Sequence, residues 1–436
     1  MQSTPAILTA DEVRGWRLRA ADAPVVSDDA ARIDEIHEIE VLKAALEARQ
    51  ARLAAAFDES QRSVAAERGA PASQQGKGVA EQVALARRVS PHRGRILLGL
   101  AKAVLAEMPW TARAWTEGRI TERRALVLAR ETACLTRDDR SRVDAELALD
   151  AAQLEAMSDR RVEAEARAMA ARLDAASVAE RRRRAEADRF VSIRPAPDTM
   201  VYLTALLPVA QGVAAYAALS RTADATAAAG DPRGRGQLMA DTLVRRLTGA
   251  ATDAEDRPIV PVAINLVMSD QTLLGSSDDP VELEDHGSIP ADLARELVAD
   301  ALDARSKVWL RRLYAHPLSG RLVAMDSDRR LFPRQLGQFL RLRDRFCRSP
   351  WCNARIRHRD HVHPAADGGE TSASNGQGLC EACNQTKTLP GWSALACDDS
   401  GGTHTVVLTT PTGHRYRSKA PPAPGSGIRL DLRFAS

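Results

Sequence analysis

Four of the six cysteines in this 436-residue chain form two close pairs, Cys347 with Cys352 and Cys380 with Cys383, with 27 residues between them. Thiolate pairs at these spacings, set on neighbouring turns, can meet around one tetrahedral Zn2+ in the closed arrangement of a structural site. Buried free thiols would need an apolar core, and this stretch is polar and rich in arginine. Cys134 and Cys397 lie outside the pairs and are expected to be free. The local charge is one-sided: from Arg329 to Arg359, ten arginines meet one acid, Asp344. A solubilising surface would intersperse both signs, so the run reads as a nucleic-acid footprint that makes salt-dependent, largely sequence-independent phosphate contacts. Arg355, Arg357 and Arg359 alternate along an extended segment and are expected to project from one face.

Between the pairs the chain runs Arg359-Asp360-His361-Val362-His363-Pro364, then Asp367-Gly368-Gly369, then Asn375, then Leu379 to Lys387 (LCEACNQTK). This pattern resembles the HNH endonuclease family, whose motif is D-H-x-x-P, G-G, N and L-C-x-x-C-N-x-x-K, and every position is matched. The resemblance implies a ββα-metal fold, two short strands joined by a looped turn and followed by a helix, with one divalent ion clasped between strand and helix. It implies His361 as general base and Asn375 as the asparagine that holds His361 in place across the loop.

The residue types suit that chemistry. Water that cleaves a phosphodiester needs a base active near neutral pH, and an imidazole with an ordinary pKa of about 6.5 provides one. Asp360 offers a hard anionic oxygen and Asn384 a neutral amide oxygen for catalytic Mg2+ or Mn2+, leaving most of the coordination sphere to water and substrate. Lys387, three residues after Asn384 on the same helical face, is placed to contact a phosphate. His363 could share the strand face of His361, and His358 is expected to face the interior with Ile356 and Asp360. The function read here is metal-dependent hydrolysis of phosphodiester bonds, DNA before RNA. A zinc-stapled DNA-binding or regulatory protein that does not cut would share the cysteines and arginines, but it has no reason to keep Asp360, His361 and Asn384 together.

The elements that must position these residues are mostly helical. Asp28 to Glu67 reads as one long helix with a narrow seam of Ile39, Leu42, Leu46, Leu53 and Ala56, which either packs on its own domain or forms a homodimer through residues 28–66. Gly69 to Gly78 reads as a linker. Helices follow from Val79 to about Asp188, with Ser90-Pro91 and Thr121 as start signals and a charged helical stretch from Arg142 to Arg189. The Arg181 to Arg184 run there reads as a solvated face. Strands are expected at Phe190–Arg194, Met200–Leu206, Ile259–Met268, Trp309–Tyr314 and Arg321–Met325, with helices at Val209–Ser220, Gly236–Leu247 and Pro290–Ala304, together forming a sheet with helices on it. The segment from Val79 to Ala304 is similar to a domain of unknown function that is fused ahead of HNH modules in actinobacterial and actinophage proteins.

Composition agrees with this outline. Aromatic residues make up 4% of the chain, and the formal charge of +3 exerts no global pull toward nucleic acid or anionic membrane, so any basic surface is local. The N-terminus lacks the uninterrupted apolar core of a secretory signal, no window suits a membrane span, and a cytoplasmic protein is expected. The fold class is α+β, with a predominantly helical N-terminal region and a small zinc-stapled ββα-metal domain at the C-terminus. Expected divisions are a leader at 1–27, the long helix at 28–69, a helical and α+β domain at 79–326, the nuclease domain at 330–391 and an extension at 392–436.

Overall fold

A computed structural model describes residues 8–249, 265–284, 286–303, 332–398 and 403–422. The chain divides into two compact units, one of Met1–Phe57 with Leu97–Val178, the other of Asp58–Ile96 with Ala179–Ser436.

The first unit is helical. It contains α1 (Ala10–Asp22) and portions of α2 (Asp29–Glu67) and α4 (Pro91–Glu107), followed by α5 (Pro109–Thr116), α6 (Glu122–Glu131), α7 (Arg137–Ala148), α8 (Ala151–Ala156) and α9 (Asp159–Leu173). Hydroxyl and carboxylate side chains start these helices: Thr121, Thr136, Asp150 and Ser158 each accept an otherwise unpaired first-turn N–H. The core joins Met108, Trp115, Ile120, Leu128, Val143, Leu154 and Val162. From α2 it receives Ala48 and Ala51, small residues that permit close helix approach. The expected apolar seam does not pack here: Ile39, Leu42 and Leu53 are 49%, 46% and 55% exposed. Nothing in the structure supports a homodimer through this helix. Residues 10–22, within the expected leader, make α1, whose start is closed by a Thr9–Glu12 capping box.

The charged helical stretch from Arg142 runs through several helices, ending in α10 (Ala175–Ala187). In α10, Arg183 and Arg184 pair with Glu180, and Arg182 pairs with Glu186, the solvated ion-paired face that the sequence suggests.

The second unit opens with the end of α2, and the segment expected to be a linker, which follows it, is ordered. Residues 69–78 form a turn in which Arg62 Nη1 donates to Gln75 O (3.1 Å) and Gln75 Nε2 to Ala70 O (3.0 Å). The turn leads to α3 (Val79–Ala86). Next come a hairpin of β1 (Phe190–Pro195) and β2 (Val201–Leu206), α11 (Val209–Ala228) and α12 (Arg235–Thr248). A separate antiparallel sheet is built from β3 (Leu266–Val267), β4 (Val281–Leu283) and β5 (Gly287–Ile289), with α13 (Asp270–Leu273) between its first two strands and α14 (Ala291–Asp303) after it. The described strands of this region therefore form two small sheets, not one. Residues 259–264 and the strands expected at Trp309–Tyr314 and Arg321–Met325 lie outside the described residues.

The C-terminal body holds α15 (Arg334–Asp344), an antiparallel pair of β6 (His358–His361) and β7 (Gly376–Leu379), then α16 (Glu381–Lys387). A three-stranded sheet follows, made of β8 (Ser393–Asp398), β9 (His404–Thr409) and β10 (Arg415–Lys419), with β9 central. Asp344, fully buried, ties these parts together. Its carboxylate accepts from Arg343 Nε (2.7 Å) and from the Gly378 N–H (2.7 Å), and Arg348 Nε lies 3.7 Å away. Arg343 also donates to Gly376 O, and Arg348 to His404 O and Ser418 O. Burial lowers the Arg348 guanidinium to about 10. α3 docks on the same body, with Thr412 Oγ1 donating to Gln82 Oε1 (3.0 Å).

His404 is 4% exposed, and its Nε2 lies 2.8 Å from Ser374 O. Burial, reinforced by the nearby Arg343 guanidinium, pushes it down to about 4. The unfolded chain therefore takes up a proton near pH 6.5 that the folded chain refuses until about pH 4. Stability should fall as pH drops through that window, by at most about 1.4 kcal/mol per unit. In urea titrations across pH 5 to 7, His404→Gln is expected to flatten this dependence relative to the parent.

Candidate active site

Cys347 and Cys352 bracket a tight knuckle in which Cys347 N–H donates to Ala354 O and Cys352 N–H to Ser349 O. Cys380 is the N-cap of α16, and Cys383 lies in its first turn. The four sulfurs all lie within 4.8 Å of one another, and every one of the four residues is buried. Protons shared among them raise the Cys347 and Cys383 thiols and lower those of Cys352 and Cys380. Four converging sulfur donors match the ligand set of structural zinc, which would replace those protons with a divalent charge.

β6 and β7 pair antiparallel with Asp360 opposite Gln377 and His361 opposite Gly376. The loop between them needs its two glycines. Gly368 has φ of +92°, and at Gly369 a Cβ would stand 2.0 Å from His363 O. Asn375 grips the start of this loop: its Oδ1 accepts from the His363 N–H (2.8 Å), and its Nδ2 donates to His363 O (3.0 Å) and Glu370 O (2.7 Å). Asn375 thus bonds across the loop to the backbone two residues beyond His361. The His361 ring is instead placed by Thr371, whose Oγ1 lies 2.9 Å from Nε2, and by Phe332, whose ring centroid is 4.5 Å away.

β6 ends at His361, so His363 falls in the loop, its ring against Asp367 O at 3.1 Å. His358 is exposed and does not face the interior. Of the residues expected to hold a divalent ion, Asp360 comes from β6 and Asn384 from α16, and Lys387 links the two elements. The Lys387 ammonium stands 2.5 Å from Asp360 Oδ2, donates to His361 O and lies 3.4 Å from Val362 O. With 8% of its side chain exposed, Lys387 points inward and does not present a free cation to phosphate. Asn384 Oδ1 is buried without a hydrogen-bond partner. A bare buried amide oxygen costs about 1–3 kcal/mol unless something satisfies it, and an amide and a carboxylate oxygen are donor types that a hard cation takes.

Of the ten arginines, eight lie in the described residues and separate into two groups, with Arg334 exposed at the start of α15. Arg341 pairs with Glu284 and Arg345 with Glu282, while Arg343 and Arg348 are buried around Asp344. These four are structural, and Arg329 and Arg330 lie outside the described residues. Arg355, Arg357 and Arg359 are exposed as expected, and Arg359 lies along α15 at Gly337. Among the described residues no acid pairs with Arg357 or Arg359, nor with Arg415 and Arg417, which share the exposed face of the edge strand β10. The alternation Arg415-Tyr416-Arg417-Ser418-Lys419 carried that signal in the sequence. Thr371 and Phe332 had none.

A two-stranded ribbon, a glycine-bearing loop, a helix capped by Cys380 of the four-cysteine cluster and an Asp-His pair at the strand end define an HNH domain, and the HNH endonuclease model matches residues 347–389. The model described as domain of unknown function (DUF222) matches residues 35–344, and the chain belongs to that family. The fusion of the two domains is the architecture expected from the sequence, and the HNH domain marks a metal-binding protein of nuclease type. No curated protein and no solved structure matches the chain. Among the described residues, no helix is long and apolar enough to cross a membrane.

Metal analysis of the purified protein should find one zinc per chain. Cys380→Ser is expected to lose it, together with the helical circular dichroism of α16 and the order of the His361 loop by hydrogen exchange. A variant with full zinc content would contradict the four-sulfur assignment.

Proposed function

We propose that the protein is a metal-dependent endonuclease that hydrolyses phosphodiester bonds of nucleic acid, with DNA as the favoured substrate. The observation that carries this reading is the buried, unpartnered Asn384 Oδ1 on the helix that Lys387 fastens to Asp360. Together with Asp360 it fits Mg2+ or Mn2+, which when bound would supply a Lewis acid for the scissile phosphate and offset the charge that develops there. His361 takes the proton of the attacking water, and its ring, held by Thr371 and Phe332, keeps a fixed aim. Asn375 acts one step back, fixing the loop that follows His361. Arg355, Arg357 and Arg359, with Arg415 and Arg417, supply backbone contacts that place the strand without reading its sequence.

Supercoiled plasmid incubated with Mg2+ or Mn2+ should be cut, and His361→Ala should slow cutting by about 100-fold or more with zinc content unchanged. Equal rates in the two proteins would overturn the role of His361, and DNA binding without any cutting would favour a regulatory binder. In a salt titration of duplex binding, Arg357→Gln with Arg359→Gln is expected to lower the slope of log K against log salt by about 1.8, roughly 0.9 for each phosphate that is no longer neutralised. An unchanged slope would remove these arginines from the interface.

A further inference from the structure

Both hydrogen-bonding contacts of the Asp360 carboxylate fall on one oxygen. Oδ2 receives the Lys387 ammonium at 2.5 Å and Gln377 Nε2 at 3.3 Å, and among the described residues nothing bonds Oδ1. Oδ1 is thus the oxygen left to act with Asn384 Oδ1. The ammonium has anchors of its own, since the carbonyls of His361 and Val362 also accept from it. A cation with three acceptors and 8% exposure has little reason to leave when a second cation arrives.

The charge balance follows. Asp360 contributes one negative charge, Lys387 one positive charge, and the amide of Asn384 none. A divalent ion entering here is attracted much less than by an unpaired carboxylate, and most of its charge is left for a further ligand. Building on the nuclease reading, we propose that Lys387 is a buried counter-charge that holds the metal site electrically neutral, so that the divalent ion binds well only together with an anionic phosphate. Metal and nucleic acid then strengthen each other's binding, and by thermodynamic linkage each does so by the same factor. The arrangement gives up metal affinity in the resting protein. In return the ion's charge falls on the phosphate and not on a surplus of carboxylates.

The test measures Mn2+ binding by electron paramagnetic resonance on zinc-loaded, full-length His361→Ala protein, which should retain a bound duplex uncut, with and without a short DNA duplex. The duplex is expected to tighten Mn2+ by about tenfold or more. Adding Lys387→Gln, which can still donate to the two carbonyls, should tighten Mn2+ binding without DNA by about tenfold and shrink the effect of the duplex to under about threefold. Lys387→Arg, which keeps the charge, should retain weak binding and strong coupling. Equal or weaker Mn2+ binding in the Gln variant, or identical behaviour of Gln and Arg variants, would overturn the proposal while leaving the nuclease reading intact. Mn2+ binding by none of these proteins, with or without DNA, would overturn both.

Discussion

One carboxylate organises the C-terminal body. Asp344 is buried between the guanidiniums of Arg343 and Arg348 and accepts the N–H of Gly378. Such a cluster is costly to desolvate and holds only while every member is paired. Each partner reaches a different part: Arg343 the β7 carbonyl of Gly376, Arg348 the carbonyls of His404 and Ser418 in the C-terminal sheet. Arg348 follows Cys347 directly, so the zinc knuckle, the ββ ribbon and the outer sheet are set against one charge. Arginines that looked in sequence like a nucleic-acid surface are in part the internal frame of the site.

The site built on that frame has two levels of rigidity. The thiols seat the start of α16, and three residues past Asn384 Lys387 fastens its end to β6. The helix is thereby held at both ends across the space where Asp360 and Asn384 offer oxygen. His361 is held separately, by Thr371, Phe332 and a loop closed by Asn375. In the proposed reaction such a frame would keep the base and the metal-binding oxygens in fixed relative positions.

Much of the site was legible because its constraints are local. Cysteine spacing, the Asp-His pair before a proline, the paired glycines and the helix asparagine each imply a geometry within a few residues. The elements around them were legible where caps and periodicity act locally, as at Ser90, Thr121, β1 and β2. What sequence could not show depends on partners far along the chain. Whether an arginine faces solvent or is buried against distant carbonyls such as those of Gly376 and His404 is settled by tertiary contact, so Arg343 and Arg348 looked no different from Arg357. Lys387 shares its helical face with Asn384, yet only the approach of β6 turns its ammonium toward Asp360. The helix α2 shows the same limit: its leucine seam was the obvious apolar stripe, but the alanine side fits closer neighbours and is the side that packs.

The central claim is that Asp360 and Asn384 share one divalent ion beside His361. Anomalous diffraction from crystals of the zinc-loaded protein grown with Mn2+ tests it most directly. The account predicts one zinc peak among the four sulfurs and one manganese peak about 2.1–2.2 Å from both Asp360 Oδ1 and Asn384 Oδ1, with Lys387 still on Oδ2. A manganese peak elsewhere, or none while Asn384 Oδ1 finds a protein partner, would contradict it.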